Sequence, residues 1–206
     1  MPANVLAPSG FATSRQFIGG VPNFGMRVFP IAYNYTGASI AYGDPVKLFT
    51  DGTVRLYAKA DTTILGIFRG CKYLDPSSGR IQWFSAWTAP TLPATTVVEA
   101  EIDCDPGQTF QCQMRGTALT QSSVGRNVDI FLATSGVPTP QPAGQSVCAL
   151  DGTAAITATL PFRLMRLIPA PANGAPFSYN ETYDNQIWEV ALNTSNFPAG
   201  TRTGQA

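Results

Sequence analysis

Residues Ala41 to Tyr73 read AYGDPVKLFTDGTVRLYAKADTTILGIFRGCKY, and the reading of this stretch decides the fold. It breaks into β-rich runs at Pro45–Phe49, Thr53–Ala58 and Ile64–Tyr73. Asp51-Gly52 between the first two is a hairpin signal, because glycine tolerates the positive φ of a tight reversal. Ala60-Asp61-Thr62 marks the second reversal, and Pro45 is acceptable only as an opening or edge residue. Val46 and Leu48, like Val54 and Leu56, alternate with polar neighbours, so each run has one apolar face. Ile64-Leu65-Gly66-Ile67-Phe68 is apolar on both faces and reads as a central strand covered from two sides. Gly66 and Gly70 permit a bend or a close backbone approach. No catalytic group stands out in this nucleus of a barrel or sandwich.

Outward from it, the chain continues in short strands and turns. Arg27–Tyr35 alternates, with Pro30 pointing to an edge or bulge. Ile81–Trp87 is a strand carrying Trp83, Phe84 and Trp87. Val97–Asp105 puts Val98, Ala100, Ile102 and Cys104 on one face and Glu99, Glu101, Asp103 and Asp105 on the other. That acidic ladder reads as a solvent or interface face, since neighbours at a spacing of two stand ~7 Å apart and do not converge on a metal. Phe110–Arg115 reads as the return strand of a hairpin with it. The alignment leaves Cys104 and Cys112 as diagonal neighbours at roughly 7–8 Å and therefore as free buried thiols. Cys71 and Cys148 have no metal-site spacing. Leu119–Gly125 has room for one helical turn. Asn127–Leu132, Ala154–Thr159, Phe162–Ile168 and Ile187–Asn193 are further strands, Gly136–Gly144 is extended and exposed, and Pro169–Pro176 is a loop. The fold class is all-β, an antiparallel barrel or jelly-roll-like β-sandwich with very little helix.

The ends differ from this body. Residues 1–25 form an extended arm rich in Pro, Ala, Ser and Gly, with Phe11, Phe17, Ile18 and Phe24 spaced without a strand or helix period. Its aromatics bury either on a neighbouring subunit, the favoured reading, or over the chain's own domain. A single β domain then spans 26–193, and 194–206 is a polar, mobile tail.

The totals exclude whole classes of function. Charged residues are 13% of the chain, about half the usual share, and 13 basic residues balance 13 acidic ones. Such a balance argues against a nucleic-acid partner and against docking on acidic membranes. It also leaves a surface that is either covered in part by other subunits, the favoured reading, or solvated by Ser, Thr, Asn and Gln. The 206 residues contain no histidine, which removes histidine acid–base catalysis, the usual triads and most zinc chemistry. No residue pattern asks for a cofactor or a metal. No run approaches a membrane-spanning length. The first residues show no secretory signal, so the product is expected to stay in the cell that makes it unless it leaves on a particle.

The ordered set Gly43-Asp44-Pro45-Val46, Asp51-Gly52-Thr53-Val54 and Leu65-Gly66-Ile67-Phe68-Arg69-Gly70-Cys71-Lys72-Tyr73 resembles the β-rich head decoration, or cement, proteins of tailed bacteriophages. Thr109-Phe110-Gln111, Val124-Gly125-Arg126-Asn127-Val128-Asp129 and Arg163-Leu164-Met165-Arg166-Leu167-Ile168-Pro169 are similar in order and spacing. The resemblance spans Ala41 to Asn193. Members often close with Asn-x-His, where this chain has Asn193-Thr194-Ser195. The resemblance implies a non-enzymatic virion protein on the outer capsid surface, a homotrimer at three-fold and quasi-three-fold points, with the major capsid protein as partner. Phe11, Phe17, Ile18, Phe24, Trp83 and Trp87 are then the candidate subunit or capsid contacts. A carbohydrate- or receptor-binding module using Trp83 and Trp87 is the alternative. A carboxylate hydrolase around Glu99 and Glu101, or a shell-forming subunit, is a weaker one.

Overall fold

The computed structural model describes residues 8–16, 25–59, 61–131, 144–172, 175–178 and 185–193. The strands are β1 (Ala12–Gln16), β2 (Met26–Ile31), β3 (Pro45–Leu48), β4 (Val54–Leu56), β5 (Gly66–Asp75), β6 (Arg80–Phe84) and β7 (Val98–Asp103). They continue as β8 (Gln108–Arg115), β9 (Asn127–Phe131), β10 (Ala149–Ala155), β11 (Phe162–Leu167), β12 (Ala170–Ala172), β13 (Ala175–Ser178) and β14 (Ile187–Leu192). Strand makes up about half of the described residues. The expected helical turn is a 3₁₀ turn at Gln121–Ser123.

The order β8-β10-β9-β11-β14, with β14 returning to β8, closes a five-stranded barrel. Its pairings are antiparallel except that of β8 with β10, which run parallel with Leu150 beside Met114. A second sheet runs β2-β7-β5-β3-β4, with β6 against the far end of β5. The all-β barrel expectation holds. The segment read as a loop at 169–176 contains part of the small hairpin β12–β13, and the strand expected at 154–159 lies earlier, at β10.

The two-faced run Ile64–Phe68 explains how the sheets join. Ile64 and Ile67 belong to the barrel core with Phe110, Val128, Leu150, Phe162, Trp188 and others. Leu65 and Phe68 turn the other way, into a separate core with Val46, Val54, Trp87, Val98, Ala100 and Ile102. Ile67 and Phe68, consecutive on β5, point to opposite faces, and Ile64 and Leu65 just ahead of β5 divide in the same way, so one run serves two cores. The hairpin read from Asp51-Gly52 is also present. Gly52 has φ +80°, Leu48 pairs with Val54, and Asp51 Oδ1 accepts from Thr53 N at 2.9 Å.

One predicted pairing is wrong. β7 and β8 do not form a hairpin: β7 pairs with β2 and β5, whereas β8 belongs to the barrel. The chain changes sheet at Cys104–Gly107, where Gly107 N donates to Asp105 Oδ1 at 2.8 Å and Gln108 N to Asp105 O at 3.0 Å. The conclusion drawn from that hairpin nevertheless holds, since all four cysteines are buried and free. The acidic ladder also needs correction. Asp103 is fully buried, not solvated, because the face it shares with Glu99 and Glu101 turns under the barrel at that point.

β5 makes this division by kinking. The register slips between Phe68 and Gly70, Gly70 adopts φ +146°, and the Trp83 ring lies across it. Any Cβ there would run into that ring. Gly70→Val is therefore expected to lower stability by about 2 kcal/mol or more, through backbone strain and the displaced indole, read as a lower denaturant midpoint.

Candidate interaction surface

Two polar anchors fix the N-terminal segment and the turn ahead of β3, and with them the orientation of the second sheet on the barrel. The first is Arg69, buried on β5. Its Nη1 donates to Phe11 O at 2.8 Å, and its Nη2 donates to Thr13 Oγ1 at 2.5 Å and to Asp103 Oδ2 at 3.4 Å. Thr13 in turn donates to Asp103 Oδ2 at 3.0 Å. Burial raises the Asp103 carboxyl, and Arg69 and Thr13 pull it back only in part.

The second anchor is Asp44, from the Gly43-Asp44-Pro45-Val46 motif. It accepts from Ala41 N at 2.7 Å and from the Ser146 hydroxyl, whose oxygen accepts from Cys148 N at 3.0 Å. Gly43 O accepts from Phe11 N at 2.9 Å. The motif thus ties the start of β3 to the N-terminal segment and to the approach of β10.

These anchors place the arm. Phe11 is buried in the barrel core, stacked on Phe162 with centroids 4.3 Å apart, and Ala12–Gln16 pairs with β8. Arg15 grips buried Glu189 on β14 with two bonds of 2.7 Å. Burial alone would raise the Glu189 carboxyl, but the bonds from Arg15 and Thr109 and the charges of Arg15 and Arg166 outweigh it and hold it below its usual value. For this part of the arm, wrapping over the chain's own domain is the correct alternative, and Phe11 is not a subunit contact. Phe17, Ile18 and Phe24 lie outside the described residues.

Trp87 is likewise corrected. It is fully buried in the second core, edge-on to Tyr73, with Nε1 donating to Tyr35 O at 3.3 Å. Neither a sugar nor a partner can reach it, and its place in the strand reading was one reversal too far, since β6 ends at Phe84. Trp83 is different: its ring lies against Gly70, and the residue is 52% exposed.

Around Trp83 the second sheet turns an uncovered face to solvent. Past Gly70, the face of β5 that packed on the barrel carries Lys72 and Leu74. Trp83 stands opposite Lys72 and Ile81 opposite Leu74, while Glu99 flanks Lys72 on β7 with an ion pair of 2.9 Å. Ile81 is 75% exposed, Val97 69% and Leu74 50%. With Pro93, Thr95 and Thr96 these side chains line a hollow of about 430 Å³. Leu74, Ile81 and Val97 were not singled out in the sequence. The signal was there in the alternation of β6, which sets Ile81 and Trp83 on the face opposite Gln82 and Phe84.

Nothing reactive converges on this face. Among the described residues, no group of three or more His, Cys, Asp or Glu side chains is placed to hold a metal. Glu99 is engaged with Lys72, and burial pushes the Cys71 thiol up to about 12, far from a thiolate at neutral pH. Among the described residues, no helix is long and apolar enough to cross a membrane. No protein-family model matches the chain, and no curated protein and no solved structure matches it either.

Burial pushes the Asp44 carboxyl up to about 6 from an ordinary 3.8, despite the bonds from Ser146 and Ala41. The folded state therefore holds this proton more tightly than the unfolded chain. Its contribution to stability is greatest below pH 4 and declines as the pH rises to about 6. Asp44→Asn should remove that slope. The wild-type minus variant unfolding free energy should change by on the order of 2–3 kcal/mol between pH 4 and 7, measured by urea denaturation; parallel curves would contradict it.

Proposed function

We propose that this chain is a structural protein of the outside of an icosahedral phage head, working as a trimer at three-fold and quasi-three-fold points to hold capsid subunits together. The observation that carries this reading is the uncovered apolar face of β5, β6 and β7 on a chain so poor in charge. A face of Leu, Ile, Val and Trp side chains with no convergent reactive group suits adhesion, not turnover. The decoration-protein resemblance agrees with it. Its Gly43-Asp44-Pro45-Val46 and Leu65–Tyr73 segments are the ones that lock the two sheets together and present that face.

Stabilisation needs no chemistry. A protein that binds only the mature shell opposes its rupture by mass action. Linked protomers multiply weak contacts through effective concentration. In this reading the partner is the major capsid protein, the site of action is the virion surface, and the protein has no catalytic role.

The half-exposed indole of Trp83, opposite Lys72 on the sheet, favours one other reading, a platform on which a sugar stacks. It would rest on Trp83 alone, without Trp87.

Purified protein mixed with bare phage heads should co-sediment with them and raise their rupture temperature. Failure to do either rejects the decoration reading. Glycan binding by the isolated protein, lost in Trp83→Ala with the fold intact, would support the platform instead.

A further inference from the structure

We infer that the face formed by Leu74, Ile81, Trp83 and Val97, together with the adjoining edge of β6, is where a second copy of this chain packs. The inference deepens the proposed function by giving self-association a place on the molecule. It rests on that reading only for the expectation that copies meet.

Three observations carry it. The first is the edge. β6 pairs with β5 on one side, and among the described residues no strand pairs with it on the other. Free edges are normally blunted by lysine, proline, a bulge or a covering loop. β6 reads Arg-Ile-Gln-Trp-Phe and is exposed along most of its length, with apolar side chains at Ile81 and Trp83. An unprotected apolar edge of this kind is a template for another strand.

The second is area. Leu74, Ile81, Val97 and Trp83 are between half and three-quarters exposed, which amounts to roughly 300–400 Å² of apolar surface. A stable interface removes ~800 Å² from each partner, of which ~60% is apolar. The face thus supplies most of the apolar core that such an interface needs. Met26, Val28, Tyr42, Phe49, Ile156 and Ile187 are also exposed, yet none of them lines the hollow or lies on β6.

The third is charge. Lys72 and Glu99 sit side by side on the face, and Glu101 is next along β7 with no ion pair among the described residues. A surface holding a cation and carboxylates within one strand spacing of each other is complementary to itself. In a second copy, Lys72 can lie against the first copy's Glu101 while the apolar rows meet. A strongly acidic or basic partner has nothing comparable to select.

The test uses the full chain without capsids. Sedimentation or light scattering across a micromolar concentration range is expected to give the mass of two or more copies. Ile81→Arg should raise the dissociation constant at least tenfold, while Ile156→Arg, an exposed site elsewhere, should leave it unchanged. Circular dichroism and thermal melting confirm that both variants fold. A monomer at every concentration, or an Ile81→Arg chain that associates as the wild type does, overturns the inference. Co-sedimentation with bare heads separates it from the decoration reading. Self-association through this face without head binding leaves the inference standing and removes the function. An Ile81→Arg oligomer that no longer binds heads does the reverse, and makes the face a shell contact.

Discussion

One strand has to be apolar on both sides, and the rest of the structure is arranged around that requirement. Burying Ile64 and Ile67 in the barrel and Leu65 and Phe68 in the second core leaves no face of that segment for water. Two sheets must therefore clasp it. The clasp cannot continue along all of β5, because Gly70 breaks the register and the strand beyond it runs clear of the barrel. The buried half makes the fold. The projecting half, with Lys72 and Leu74, is available for contact with other molecules.

Where the two sheets meet, apolar packing gives way to charge. Arg69 and Asp103 are both buried within the seam, and each would be costly there without the other. Their hydrogen bonds to Thr13 and to the Phe11 carbonyl recruit the N-terminal segment as a strap across the junction. Arg15 on Glu189 fastens the strap's far end to the barrel. This is why the arm is a strand and not a loose tail at residues 12–16: β10 runs beside β8 only near Met114 and Arg115, and β1 occupies the edge that remains. The scarcity of charge in the chain is thus uneven. Several of its few ionic groups are spent inside, which leaves the outer face of β5, β6 and β7 the more apolar.

Among the described residues, no three His, Cys, Asp or Glu side chains gather where they could hold a metal, and the sequence contains no histidine. Glu99 is paired with Lys72 on the surface, and Asp44 and Asp103 are built into the seam. The hollow beside Ile81 is lined by Leu74, Pro93 and Val97, by Thr95 and Thr96, and by the ion-paired Lys72 and Glu99. It can receive a side chain of another protein, and its energetics would come from excluded water.

Local pattern by itself determined most strands of the domain, the Asp51-Gly52 reversal and the double burial of Ile64–Phe68, but not β1, which lies in a segment without a strand period, nor the β12–β13 hairpin. Alternation and turn chemistry are properties of neighbouring residues, so they survive without knowledge of the fold. What a face meets is a different matter. Asp103 shares its alternation with Glu99 and Glu101, yet only the tertiary structure sets the barrel over the first and solvent over the other two. Trp83 and Trp87 look alike as aromatic neighbours in sequence, but β6 ends between them and sends one outward and the other into a core. The exchange of sheets at Cys104–Gly107 was hidden for the same reason: matching apolar faces make a hairpin plausible, and which strand a face finally packs against depends on every other strand competing for it.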